Sequence, residues 1–198
     1  MNTPSHILLG AAVFGRANHA KITAAALLGG LAPDISLYVM AGWALFVQNI
    51  PADIVFREYY FSPQWMRVFS YDNSFVLWGA LFGIGLWRKK PWVIAFAGAA
   101  ILHLVTDFLL HHDDARPHFW PLTDWIFQSP VSYWDRRYYG NVIGPLELLM
   151  DFFLCFILWR RHHGRWARVA VGSSVVVLLV PFIMWGMAMA GGSAGHWH

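Results

Sequence analysis

Residues 92–112 read WVIAFAGAAILHLVTDFLLHH, and nothing in them is charged before Asp107. At a rise of 1.5 Å per residue, a helix of this length covers the roughly 30 Å hydrocarbon core of a bilayer. Four other segments carry the same signature: 22–47, 74–88, 143–160 and 167–190. The run 5–15 is equally apolar but only about 16 Å long as a helix, too short to cross. Pro33 interrupts 22–47, and Gly29-Gly30 just before it permit close helix packing. The expectation is a hairpin, 5–15 one way and 22–32 back, joined at 15–18. A break at Ala32-Pro33-Asp34 and a further helix over 36–47 follow. The predicted fold is an all-α, polytopic membrane helix bundle of about five spanning helices plus a short N-terminal half-helix. It forms one integral membrane domain over 1–190, with 191–198 a frayed tail.

Composition supports this reading. Only 13% of the 198 residues are charged, where a soluble domain carries roughly 25%. Trp43, Trp87, Trp92, Trp120 and Trp159 stand where apolar runs meet polar loops, as in interfacial belts. The net charge of +3 would invite nucleic acid were the basic residues not gathered in short turns between apolar segments. Those turns hold Arg16 and Lys21, Arg88 to Lys90, and Arg160 to Arg168, and an alternating path puts all three on one side. The positive-inside rule makes that side cytoplasmic in a bacterial inner membrane. The loops 48–73 and 113–141 then face the periplasm, and 113–141, rich in Pro, Trp, Tyr and Asp, is expected to fold as an aromatic periplasmic cap. Cys155 is the sole cysteine, which excludes an intrachain disulfide and a thiolate metal cluster. Residues 1–6 lack the basic start of a signal peptide, so the N-terminal piece is expected to belong to the fold.

Counting upward from the basic turns places His6, Asp34, Asp72, His103, Asp107 and Glu147 at a common depth, roughly 18 to 26 Å from that surface. Charged groups there cost about 2.5 kcal/mol or more each unless paired, hydrated or bound to metal. One divalent cation would compensate several together. Imidazole plus carboxylate is a ligand set for zinc, iron or manganese, and an open position would supply an activated water. His103 and Asp107 stand four apart on one helix face, the stripe continues to His111, and Glu147 and Asp151 repeat the interval. Plainer roles compete. His103 could simply bond Asp107, Asp34 could cap a helix after Pro33, His6 could cap the first helix, and Glu147 could pair with Arg136 or Arg137. Residues 111–114 could be a wetted helix end, and Asp72-Asn73-Ser74 a helix cap. His196 and His198 sit in the tail.

Thr3-Pro4-Ser5-His6, Gly29-Gly30-Leu31-Ala32-Pro33-Asp34, His103 to Asp107 and Trp120-Pro121-Leu122 together resemble the bacterial family of membrane-bound metal-dependent hydrolases. The resemblance runs over residues 3 to about 125. It implies an inner-membrane protein with a buried metal site built from His6, Asp34, His103 and Asp107. Two positions depart from the pattern: Ser36 stands where members carry a second Asp, and Asn73-Ser74 where they carry Thr-His. Asp72, His111 or Glu147 would have to replace those ligands.

The function expected from the residues and the resemblance is metal-dependent hydrolysis of a phosphoester or lipid at the outer leaflet. Zinc is the first choice of divalent metal, ahead of iron or manganese. Glu147 or His111 would act as general base, and Arg116 or Arg136 would hold an anionic headgroup. The expected partners are the bilayer and that substrate, not nucleic acid, with the oligomeric state left open. The alternative is a non-catalytic membrane protein whose polar or metal-bound core is structural and which docks a partner. A transporter needs a continuous polar path, and the cytoplasmic halves of the helices are almost wholly apolar.

Overall fold

Proline and small residues set the frame. Proline occupies the first turn of α1 (Thr3–Phe14), α5 (Pro63–Asp72) and α7 (Pro91–Leu110), where its missing N–H leaves no bond unmade. The computed structural model describes the backbone of residues 1–190 and the side chains of residues 1–179. Between α1 and α5 come α2 (Ala20–Leu31), α3 (Ile35–Gly42) and the single turn α4 (Ala52–Ile54). The remainder are α6 (Phe75–Trp87), α8 (Gly140–Arg161) and α9 (Arg165–Ala190). Every described element is helical, as predicted.

The molecule is inverted relative to a soluble protein. Its interior is small and polar: Ala26, Ala97 and Ala100 are fully buried, alongside Ser5, His6, His103 and Asp151. Its surface is large and apolar, with Phe46 82%, Trp87 74% and Leu149 66% exposed. Without water there is no hydrophobic drive between helices, so packing rests on close backbone approach at small residues. Gly29 and Gly30 show how close. A Cβ on Gly29 would stand 2.0 Å from the Phe96 carbonyl oxygen, and one on Gly30 2.6 Å from that of His6. The α1–α2 hairpin is thereby pressed onto α7.

Two expectations are corrected. Among the described residues three helices, not five, are long and apolar enough to span: Ala20–Val47, Pro91–Leu110 and Gly140–Arg161. The segment predicted over 74–88 forms α6, whose 13 residues reach only about 20 Å. That predicted over 167–190 is helical in α9, but its second half lies beyond the described side chains, as does the 191–198 tail. The break expected at Ala32-Pro33-Asp34 is there, and α2 ends at Leu31. A 3-10 turn at Ala32–Asp34 takes up the proline, with the Ile35 N–H bonded to the Ala32 carbonyl, and α3 continues directly. The helical run then closes in a π-turn, Trp43–Val47.

The second correction concerns 113–141. Among the described residues no periplasmic cap topology is shown, and this segment binds back onto the helix ends. Ser129 and Tyr133 donate their N–H groups to the carbonyls of His111 and Leu110, and Phe75 donates to that of His118. Asn73 ties α5 to the 3-10 turn through its amide on the Pro33 carbonyl (3.4 Å), and Ser74 caps α6 by accepting from the Leu77 N–H (3.1 Å). The three basic turns do share one end of the bundle: Lys21 lies over the Trp92 ring, and Arg161 donates to the carbonyls of Ala12 and Gly15.

His118 sits 3% exposed in this packed segment, and burial pushes its pKa from the ordinary 6.5 to about 4, against the bond its ring makes to the Asn73 carbonyl. Because the folded value is depressed, its contribution to stability is complete above about pH 6.5 and is lost as pH falls toward 4. Unfolding in detergent should show a loss of about 1 kcal/mol between pH 7 and 5.5 from this residue. The test is His118→Asn, which should flatten the dependence in that window.

Candidate metal centre

At the end opposite the basic turns, α1 supplies His6, the 3-10 turn supplies Asp34, and α7 supplies His103 and Asp107; all four are buried. The His6 and His103 rings stack with centroids 3.5 Å apart and an interplanar angle of 9°. The His103 Nδ1–H donates to the Gly30 carbonyl at 2.8 Å. A carbonyl can only accept, so in the neutral ring Nε2 carries a lone pair. That lone pair faces Asp107 Oδ2 at 3.1 Å and Asp34 Oδ1 at 3.7 Å, and His6 Nε2 lies 2.9 Å from Asp107 Oδ1. The His103 lone pair and the carboxylates of Asp107 and Asp34 therefore converge on one point, beside His6 Nε2, which also lies 3.1 Å from the Met1 carbonyl oxygen.

This arrangement fits a cation. Ligand atoms of His6, His103 and Asp107 all lie within 4.8 Å of one another. A tetrahedral ion with ligands at about 2.0 Å sets them about 3.3 Å apart. Outer partners hold each ligand, as metal sites require. The Gly30 carbonyl orients His103, Thr106 Oγ1 stands 3.2 Å from His6 Nδ1, and the Thr3 hydroxyl donates to Asp34 Oδ2 at 2.5 Å. The Asp34 side chain makes no capping bond, so the plainer role considered for it is not the one it takes. The Met1 amino group donates to Asp107 Oδ1 at 2.9 Å, a positive charge drawn to the same carboxylate.

His111 follows on the same stripe, just past the end of α7. Its Nε2 is 3.1 Å from Asp107 Oδ1, and its Nδ1 2.9 Å from Asp114 Oδ2. Burial works against its charged form, but Asp107 and Asp114 outweigh it and raise the pKa above the usual histidine value. Beside the cluster lies a cavity of about 500 Å³ lined by Asp34, Asp107, His111, Asp114, Tyr60 and Arg116. Arg116 is 5% exposed. One guanidinium nitrogen, Nη2, donates to the Tyr60 hydroxyl at 3.0 Å, and the group lies over the Phe69 ring. Another, Nη1, is buried with no hydrogen-bond partner among the described residues.

The structure thus brings His6, Asp34, His103, Asp107, His111 and Arg116 together. Glu147 and Arg136 line a different cavity, and Arg137 is engaged by Asp113 and Asp135. Asn73 and Ser74, at positions where the resemblance would want ligands, serve as helix ties. Tyr60 was not named from the sequence, and Thr3, Thr106 and Asp114 appeared there only within motifs or as a wetted helix end, with no role at the site. Thr106 offered one signal, lying three residues after His103 on the same helix. No family model, curated protein or solved structure matches the chain.

Proposed function

We propose that this membrane-embedded helical protein is a metal-dependent hydrolase of the bacterial inner membrane, acting on a phosphoester or lipid headgroup at the outer leaflet. The reading is carried by the convergence of His6, His103 and Asp107 on one buried point beside the cavity that holds Arg116. The motif resemblance and the basic turns at the far end support it. Zinc is favoured by two imidazoles and carboxylates. Bound there by His6, His103, Asp107 and Asp34, it would supply an acidified water and Lewis acidity.

The chain's own residues do the rest. Arg116 Nη1, a buried donor without an acceptor among the described residues, offers a charge-assisted bond to an anionic oxygen. Phe69 and Tyr60 hold the guanidinium in place, so little ordering remains when the anion arrives. His111, between two carboxylates, is placed to take a proton and hold it.

Elemental analysis of detergent-purified protein lacking residues 191–198 tests the metal. One stoichiometric zinc, iron or manganese is expected, and intact metal-free protein without phosphodiesterase activity would leave a structural polar core instead. Arg116→Lys keeps the charge and loses the fork. It should raise KM for a chromogenic phosphodiester about tenfold with kcat changed only a few-fold, whereas a lost base or ligand would lower kcat.

A further inference from the structure

A second cavity, of about 590 Å³, lies between the start of α1, α8 and α9. Its walls are largely apolar, including Pro4, Pro145, Leu148, Val177 and Leu178. Two carboxylates one helical turn apart on α8 interrupt them, Glu147 at 6% exposure and Asp151 at 1%. Each is half satisfied. Glu147 Oε1 accepts from the Asn2 backbone N–H at 2.7 Å, and Asp151 Oδ2 from the Ser5 hydroxyl at 2.6 Å. Glu147 Oε2 and Asp151 Oδ1 are buried with no hydrogen-bond partner among the described residues. Arg136 lines the same cavity.

Buried carboxylate oxygens without donors are unfavourable inside a bilayer. They occur here in a pair, four residues apart, in a space far larger than a bare ion needs. A primary ammonium has three N–H donors and can serve both oxygens together. An apolar wall and a guanidinium beside that acidic pair match an amphiphile bearing an ammonium and a phosphate. We propose that this cavity is a headgroup site for a primary-amine phospholipid. The ammonium donates to Glu147 Oε2 and Asp151 Oδ1, the phosphate faces Arg136, and the acyl chains lie along α8 and α9. The site shares Asn2, Pro4, Tyr133 and Trp134 with the wall of the first cavity but contains none of the cluster residues. Glu147, expected from sequence as a general base, is here a lipid-binding residue.

The test is native mass spectrometry of the full chain in detergent with a chelator present, titrated with dioleoyl phosphatidylethanolamine and, separately, dioleoyl phosphatidylcholine. The choline headgroup keeps the phosphate and the positive charge but has no N–H. Lipids at the general surface bind the two alike. The expected result is about tenfold tighter binding of the ethanolamine lipid, with the preference abolished in the Glu147→Gln/Asp151→Asn double variant. Equal binding of the two lipids by the wild type overturns the proposal, as does a preference that survives in the double variant. A stoichiometric divalent ion that is lost with this pair, measured without chelator, overturns it too. If the double variant does not fold, Leu148→Trp decides: it fills the cavity and keeps both carboxylates, and a preference that persists in it is fatal to the idea.

Discussion

Asp107→Asn protein, purified without chelator, should contain no stoichiometric metal and show no hydrolysis above background. The substitution keeps the shape of the side chain and removes its charge. In the wild type one carboxylate faces His6, His103 and His111 and accepts from the Met1 amino group. It is the single anion common to all of these contacts. An amide is a poor ligand for zinc and also places an N–H among groups that present lone pairs. The expected loss in metal affinity is at least about a hundredfold, by analogy with the effect of disturbing even the outer partners of a metal site. Elemental analysis and a single-turnover assay check it, with circular dichroism in detergent confirming that the helices persist. Full activity in this variant would reject the metal reading outright.

Gly29→Ala should unfold more easily than the wild type by on the order of 3 kcal/mol, and should also bind metal poorly although it touches no ligand. The added methyl would stand 2.0 Å from the Phe96 carbonyl oxygen and 3.0 Å from the Ala99 methyl. Neither can swing aside as a long side chain could, so α2 and α7 must part by about an ångström. His103 rides on α7, and the carbonyl that orients it belongs to Gly30 on α2. Metal sites tolerate only a few tenths of an ångström in ligand position. The control is Gly79→Ala, where a Cβ meets nothing within 4 Å. It should leave both stability and metal content unchanged. Detergent unfolding curves and metal stoichiometry on the two variants check the pair.

Apolar segments are a one-dimensional signal, which is why 92–112 and 143–160 stand close to the observed Pro91–Leu110 and Gly140–Arg161. The 74–88 segment misled because composition says that a stretch prefers lipid, while crossing depends on a length that α6 does not reach. Pro33 marked its break correctly, since α2 stops at Leu31 and α3 starts at Ile35. The sequence shows the lost N–H, but only the three-dimensional path shows that one 3-10 turn absorbs it. At the site, His103 and Asp107 were legible because four residues on a helix fix their relative direction. His6 and Asp34 were legible from depth. Glu147 shares that depth and yet faces the other cavity, since counting residues from a turn gives height along a helix and not rotation about it. Arg116 and Arg136 were indistinguishable on the same ground. The Gly30 carbonyl could not be foreseen as an orienting group, because every residue carries one and only the fold selects it.

The short α6 helix carries a consequence for the surrounding lipid. With 13 residues, α6 reaches only about 20 Å, against a hydrocarbon core of roughly 30 Å, and its Leu77, Ile84, Leu86 and Trp87 are exposed. Lipid meeting that flank must thin locally or leave polar ends submerged, at a fraction of a kcal/mol per ångström of mismatch. A dimple on that side draws headgroups inward along α6. The protein thus shapes the membrane that delivers molecules to it, and thinner bilayers should suit it better than thick, sterol-stiffened ones.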